Sequence, residues 1–211
     1  MKEAYFTSDT IDEAVAALTA GLSVGPRGPA FDMTRAALLI LDMQWYFLDQ
    51  GSHAFIPSAP AIVPVIERLA RAFREAGRPV IATQHVNTPG DAGMMGEWWG
   101  YLIVPDTPQA ELDPRIETLA TEIITKTRYD AFYNSNLQEI LEKSDVGQLV
   151  IAGVMTHLCV ETTARAAFVR DFAVFVPADA TATYNREFHR ATVLNLAHGI
   201  ATITSAETVR V

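Results

Sequence analysis

Cysteine is almost absent from the sequence, since Cys159 is the only one among 211 residues. A single cysteine cannot form an intrachain disulfide, and a free thiol is typical of a reducing compartment. Long apolar runs are absent too, because none approaches the roughly 18 residues of a transmembrane helix. The first residues, MKEAYFTSDT, lack the charged and then apolar pattern of a signal peptide. We therefore expect a cytoplasmic protein that does not span a membrane.

Positive charge is scarce as well, because 16 Lys and Arg residues stand against 25 Asp and Glu residues, for a net charge of −9. The sequence contains no cluster of basic residues interleaved with aromatics, so we expect neither nucleic acid nor a membrane surface as a partner. Hydrophobic residues make up 49% and charged residues 19% of the chain, which is typical of a globular protein. At this length we expect a single domain over residues 1–211.

Short apolar runs alternate with segments of helical periodicity. Strands are predicted at 36–43, 78–84, 121–127, 148–154, 173–179 and 200–205. Helices are predicted at 8–21, from 61 or 64 to 77, and at 135–144, 157–170 and 186–198. The alternation predicts a three-layer αβα fold, in which helices cover both faces of a six-stranded, mostly parallel sheet. A leading helix and an N-terminal arm occupy about residues 1–34, and the long irregular segment 85–118 is expected to cover a site.

Three residues with useful chemistry stand where predicted strands end. Asp42 closes the first strand, Lys126 lies at the edge of the third, and Cys159 follows the fourth. The carboxyl ends of parallel strands share one edge of a sheet, and ligands bind there in α/β proteins. We therefore expect a carboxylate, an ammonium and a thiol to meet, which are components of an acyl-transfer site.

Each of the three also has a simpler interpretation. An aspartate after a strand is commonly a turn residue, a lysine at a strand edge is usually solvated, and a cysteine after a buried strand commonly fills the core. Their coincidence at one edge favours the catalytic interpretation. Thr156 is predicted to cap the following helix, which places Cys159 in the first turn, where the helix N-terminus lowers the pKa of a thiol.

The segments around these residues resemble the signature blocks of a known family. LLILDMQWYF contains Asp42, ITKTRYDAF contains Lys126, and VIAGVMTHLCVETTARAAF contains Cys159. In this order they resemble the isochorismatase-like hydrolases, a superfamily that includes nicotinamidases, N-carbamoylsarcosine amidases, ureido hydrolases and the isochorismatases. The resemblance covers roughly residues 35–205 and includes ADATAT at 178–183.

The resemblance implies a role for each residue. Asp42 is expected to be the general base, Lys126 its charged partner, and Cys159 the nucleophile that forms an acyl-thioester, from which water releases the acid. The family's cis peptide bond is expected at Val154–Met155. Its oxyanion hole maps to the backbone N–H groups of Met155 and Cys159.

The resemblance leaves the reaction open. LDMQWYF, the WWG at 98–100 and KTRYDAF are similar to true isochorismatases, which cleave a vinyl ether without a covalent nucleophile. Those enzymes commonly carry glycine where this chain has Cys159. The cysteine therefore favours hydrolysis of an amide, carbamoyl or ureido C–N bond. The alternatives are a vinyl-ether hydrolase that does not need Cys159 and a catalytically silent binding subunit.

The residues after the second strand bear on metal binding. Nicotinamidases bind zinc there through an Asp-x-His motif and a further histidine, whereas in ATQHVNTPGD no Asp stands two residues before His85. We expect no metal and no cofactor, and we disfavour nicotinamide as the substrate. The resemblance implies a homodimer or homotetramer. Residues near the strand ends are expected to bind a small, largely planar substrate, namely Gln44, Phe47, His85, Trp98, Trp99 and Tyr129.

Overall fold

Seven parallel strands form the central sheet of the computed structural model, which describes residues 1–22 and 28–210. The strands are β1 (Ala36–Leu41), β2 (Val80–His85), β3 (Glu122–Lys126), β4 (Gln148–Val154), β5 (Ala173–Pro177), β6 (Thr181–Ala182) and β7 (Ala201–Thr204). Their order is β3-β2-β1-β4-β5-β7, and β6 pairs with β4. The six predicted strands are confirmed. The two-residue β6 is too short to give a pattern in the sequence.

Helices flank this sheet. They are α1 (Ile11–Thr19), α2 (Trp45–Leu48), α3 (Ala59–Glu75), α4 (Met94–Trp99), α5 (Pro114–Glu117), α6 (Leu137–Lys143), α7 (Glu161–Phe168) and α8 (Arg186–Gly199). The long helix α3 packs against β1, β2 and β4, whereas α7 packs against β5 and α8 against β7. The predicted αβα fold is confirmed. The irregular segment 85–118 contains the two short helices α4 and α5.

The strands β1 and β4 lie side by side, and every residue of both is buried. A strand that is covered on both faces has no solvent side, which explains the continuous apolar sequence of each. At Gly153 φ is +107°, and an added Cβ would lie 2.1 Å from the carbonyl oxygen of Leu41. Glycine is required there because any side chain would collide with the backbone of β1. The end of β4 can therefore lie directly against the end of β1.

One predicted helix start is wrong, and another predicted helix differs in the type of its first turn. Helix α3 begins at Ala59 rather than near residue 61 or 64. Pro60 is tolerated because it lies in the first turn, where its missing N–H has no hydrogen bond to lose. Pro64 lies within the helix. The predicted helix 157–170 begins as a π-helix over Thr156–Val160, which continues directly into α7.

The predicted leading helix, α1, lies before β1. It spans Ile11–Thr19, within the predicted 8–21, and Thr10 occupies its N-cap position. Residues 23–27 of the predicted N-terminal arm lie outside the described residues. In the described ranges, no helix combines the length and the apolar character that crossing a membrane requires.

Candidate active site

The carboxylate, the ammonium and the thiol meet at the carboxyl edge of the sheet. Asp42 follows β1, Lys126 is the last residue of β3, and Cys159 lies in the π-helix after β4. Asp42 Oδ2 is 2.8 Å from Lys126 Nζ, and both side chains are fully buried. Lys126 Nζ also donates to Cys159 Sγ at 3.4 Å. The ammonium therefore contacts both the carboxylate and the thiol.

The Lys126 ammonium has three protons and four acceptors around it. Besides Asp42 and Cys159, it contacts the carbonyl oxygen of Arg128 at 2.9 Å and His85 Nδ1 at 3.2 Å. Burial acts to lower the pKa of Lys126, but the Asp42 carboxylate and the neighbouring Cys159 outweigh burial and raise the pKa overall. The lysine is therefore charged at neutral pH.

Asp42 is held by the neighbouring strand. The hydroxyl of Thr83, in β2, donates to Asp42 Oδ1 at 2.6 Å and accepts from the Asp42 backbone N–H at 3.2 Å. The φ angle of Asp42 is +54°, a left-handed conformation that aspartate tolerates better than most residues. Oδ2 faces the Lys126 ammonium as an ion pair and has no hydrogen bond with normal angles. This oxygen can therefore still accept a proton.

The pKa of the Cys159 thiol is raised, not lowered. Burial raises its pKa, Asp42 raises it further, and the Lys126 charge opposes this only in part. The predicted lowering of the pKa is therefore wrong, and the thiol is protonated at neutral pH. The predicted cap is wrong too, since Met155 occupies the N-cap position and the buried Thr156 hydroxyl has no hydrogen-bond partner in the described part of the chain. A protonated thiol needs a base before it can act as a nucleophile.

The backbone before the thiol has the geometry that the resemblance implied. The peptide bond Val154–Met155 is cis, and Met155 and Cys159 line one cavity. The assignment of their N–H groups to an oxyanion hole stays a prediction. His157, two residues before the thiol, is engaged elsewhere, because its Nδ1 lies 2.5 Å from the hydroxyl of Thr183.

The cavity beside Cys159 has a volume of about 210 Å³ and a largely aromatic wall. Phe47, His85, Trp99 and Tyr129 line it, as predicted. Sequence reasoning did not select several other lining residues: Tyr46, His53, Met95, Ile103 and Tyr184. Trp99 Nε1 donates to the Tyr129 hydroxyl at 2.7 Å, which joins α4 to the segment after β3.

Two predicted substrate contacts do not fit the structure. Gln44 is fully buried, its Nε2 donates to the carbonyls of His85 and Ala110, and its Oε1 accepts from the His85 N–H. Its amide is therefore used to join the chain after β1 to the end of β2. Trp98 is 76% exposed and lies outside the cavity wall. Trp98 and Trp99 are adjacent in α4, so they point in different directions.

The described residues contain no group of three or more His, Cys, Asp or Glu side chains that could hold a metal ion. Burial and the nearby Lys126 charge lower the pKa of His85 to about 4. Its Nε2 contacts Asn87 Oδ1 at 2.9 Å and its Nδ1 faces Lys126. Both ring nitrogens are thus engaged by protein groups. The expectation that the enzyme uses no metal stays a prediction.

A thiol, an ammonium and a carboxylate thus meet at one edge of a parallel αβα sheet, beside a cavity with a largely aromatic wall. The sequence model of the isochorismatase domain matches residues 36–208. The chain therefore belongs to the isochorismatase family, and it is a hydrolase.

Known proteins similar to this chain include two from Arabidopsis thaliana. Nicotinamidase 3 is 41% identical over 180 residues, which are 83% of this chain and 87% of the relative. A probable inactive nicotinamidase is 33% identical over 183 residues, 81% of this chain and 93% of the relative. Among solved structures, a cysteine hydrolase from Pseudomonas syringae pv. phaseolicola has a TM-score of 0.80 at 23% identity and covers 87% of this chain and 96% of its own. At that identity the structural likeness supports the fold.

Proposed function

We propose that the protein hydrolyses the C–N bond of a small, neutral amide, carbamoyl or ureido compound through an acyl-thioester on Cys159. One observation carries the proposal: Lys126 Nζ lies 2.8 Å from Asp42 Oδ2 and 3.4 Å from Cys159 Sγ, beside the cavity. The similarity to Nicotinamidase 3 over most of both chains supports the C–N bond type.

The charges of the site suit a thiol that is protonated at rest. Before reaction, the Lys126 ammonium is paired with the Asp42 carboxylate. Transfer of the thiol proton to Asp42 removes that negative charge and creates a thiolate on Cys159, which the same ammonium contacts. The buried ammonium therefore has one anionic partner in both states, so the transfer leaves no buried charge unpaired.

The proposed reaction has two halves, the acylation of Cys159 and the hydrolysis of the acyl-enzyme, and protons and bonds balance in each. The Cys159 thiolate attacks the carbonyl carbon, and the N–H groups of Met155 and Cys159 bind the oxyanion. The C–N bond breaks, the leaving nitrogen takes the proton from Asp42, and the amine departs. Asp42 then removes a proton from water, the hydroxide attacks the thioester, and the acid leaves as the proton returns to the Cys159 sulfur.

The cavity favours an uncharged substrate. Burial raises the pKa of Tyr46 to about 12 and also raises the pKa of Tyr129 and Tyr184, while the pKa of His85 is lowered to about 4. These lining side chains are therefore neutral at neutral pH. Aromatic walls around about 210 Å³ suit a small planar molecule.

The experiment is a panel of small neutral amides, carbamoyl compounds and ureido compounds, assayed for release of ammonia or amine. Cys159→Ala should lower kcat by about 1,000-fold or more, because the nucleophile is lost. Asp42→Asn should lower it by about 100-fold or more, because the base is lost. Asp179→Asn is the matched control, since this aspartate follows β5 outside the cavity wall and should leave kcat unchanged.

The alternatives give different results. A vinyl-ether hydrolase would release no ammonia or amine from the panel, and its turnover of a vinyl ether would survive Cys159→Ala. A silent binding subunit, a possibility raised by the probable inactive relative, would bind a panel compound without turnover by the wild type. Either result would refute the proposed function.

A further inference from the structure

The hydrogen bonds around His85 define its tautomer. Asn87 Nδ2 donates to Asp91 Oδ1 at 3.0 Å and to the carbonyl oxygen of Thr127 at 3.2 Å. Both partners can only accept, so this end of the amide is the NH₂ group. The other end, Asn87 Oδ1, lies 2.9 Å from His85 Nε2. Because Oδ1 is an acceptor, the ring proton of neutral His85 is on Nε2.

With its proton on Nε2, neutral His85 presents the lone pair of Nδ1 to Lys126 Nζ at 3.2 Å. Burial and Lys126 lower the pKa of His85, whereas Asp42, Asn87 and the carbonyl of Arg128 raise it by smaller amounts. The net pKa of about 4 keeps the ring neutral at neutral pH. Nδ1 is therefore an acceptor for the ammonium.

The far end of this series of contacts is anchored at the surface. Asp91 Oδ1 also accepts from the Thr88 N–H at 2.9 Å, and Oδ2 accepts from the Thr88 hydroxyl at 3.0 Å. Asp91 is exposed and lies outside the cavity wall. Contacts thus lead from an exposed carboxylate, through Asn87 and His85, to the buried ammonium of Lys126.

We propose that His85 is a positioning residue that holds the Lys126 ammonium against the thiol of Cys159, and that Asn87, oriented by Asp91, fixes the tautomer that this role requires. The inference rests on the proposed function, in which Lys126 pairs with the thiolate. It gives His85 a task apart from contact with the substrate.

The contact distances of the Lys126 ammonium explain why the loss of His85 as an acceptor weakens its contact to Cys159. The hydrogen bonds of the Lys126 ammonium to Arg128, His85 and Cys159 account for its three protons, since Asp42 Oδ2 faces it as an ion pair without a hydrogen bond of normal angles. The contact to Cys159 Sγ at 3.4 Å is the longest of the four. Loss of one short contact lets the ammonium move, and the longest contact is the one most easily lost.

The test is the rate at which iodoacetamide alkylates Cys159 between pH 6 and pH 10, which needs no substrate. His85→Leu removes both ring nitrogens, and alkylation at pH 8 should slow about tenfold as the profile shifts up by about one pH unit. His85→Asn places an amide oxygen near the position of Nδ1 and should stay within about threefold of wild type. Far-UV circular dichroism and thermal unfolding check that both variants fold.

A second pair of variants works from the surface, where the risk to folding is small. Asp91→Ala removes the acceptors that orient Asn87 and should slow alkylation about threefold. Asp91→Asn keeps an oxygen at that position and should restore the wild-type rate. If the His85 variants do not fold, this pair decides the matter alone.

The proposal is overturned if His85→Leu, or Asp91→Ala where only that pair folds, keeps the wild-type alkylation profile. A rise in KM with unchanged alkylation would also overturn it, because that result assigns His85 to substrate contact. The outcome is separate from the proposed function, which fails if the substrate panel is not turned over whatever the alkylation profiles show.

Discussion

Removal of the buried ammonium tests how much the Lys126–Asp42 ion pair contributes to the free energy of unfolding. In the variant Lys126→Met, the Asp42 carboxylate keeps the hydrogen bond from Thr83 but loses the cation at 2.8 Å. Both side chains of the ion pair are fully buried, so water cannot replace the lost partner. The variant should therefore be strongly destabilised as well as inactive.

The expected loss follows from burial and distance. Two unit charges at 2.8 Å attract each other by about 6 kcal/mol at an effective dielectric constant of about 20, and desolvation offsets much of this attraction in the intact pair. Removing one partner of a buried pair typically costs about 3–5 kcal/mol, because a buried charge is left uncompensated. For a protein of this size that corresponds to a fall in Tm of roughly 6–20 °C.

Urea unfolding of a double-mutant cycle measures the effect. The cycle combines Lys126→Met with Asp42→Asn, which removes the charge but tolerates the positive φ of +54°. The two losses should be non-additive by about 2 kcal/mol or more. Lys143→Met is the control, since Lys143 forms an exposed pair with Glu139 at 3.7 Å and should change stability by less than about 0.5 kcal/mol. A loss below about 1 kcal/mol for Lys126→Met, or additive effects, would refute the reasoning.

Acid should destabilise the fold through two buried histidines. The pKa of His85 is about 4 and that of His189 about 3 in the native state, both lowered by burial. Below pH 6.5 the unfolded chain binds protons that the native state does not, so the free energy of unfolding should fall by roughly 3–4 kcal/mol between pH 7 and pH 5. Urea titrations measure this fall, and His189→Gln should about halve it; an unchanged fall contradicts the assignment. Trp99→Leu should raise KM about tenfold by removing an aromatic wall, whereas Trp98→Leu should not, and equal effects in steady-state kinetics would contradict the cavity assignment.

The sequence was informative where local pattern and topology decide the outcome. β4 has the predicted bounds, 148–154, because a strand buried on both faces is a continuous apolar run. Asp42, Lys126 and Cys159 meet because parallel strands end at one edge, and this placement needs no knowledge of side-chain packing.

The sequence did not predict the role of a polar side chain where that role depends on tertiary burial. The polar Gln44 looked like a pocket residue, yet its amide satisfies backbone groups at the end of β2. Thr156 has the sequence of a helix cap, but the segment folds as a π-helix and its hydroxyl stays without a partner in the described chain. The contacts that fix His85 through Asn87 and Asp91 depend on a loop conformation that no periodic pattern encodes.

The pKa of Cys159 is the correction with the most consequence for mechanism. A thiolate stabilised by a helix N-terminus would be ready to attack, and Asp42 would be needed only in later steps. In the proposed reaction, a thiol whose pKa is raised by burial and by Asp42 gives up its proton within the first step instead. The carboxylate that raises the pKa is also the group that can accept the proton, and Lys126 contacts both atoms between which the negative charge moves. In the proposed reaction Asp42 therefore acts from the first chemical step, and the loss expected for Asp42→Asn includes the formation of the acyl-enzyme.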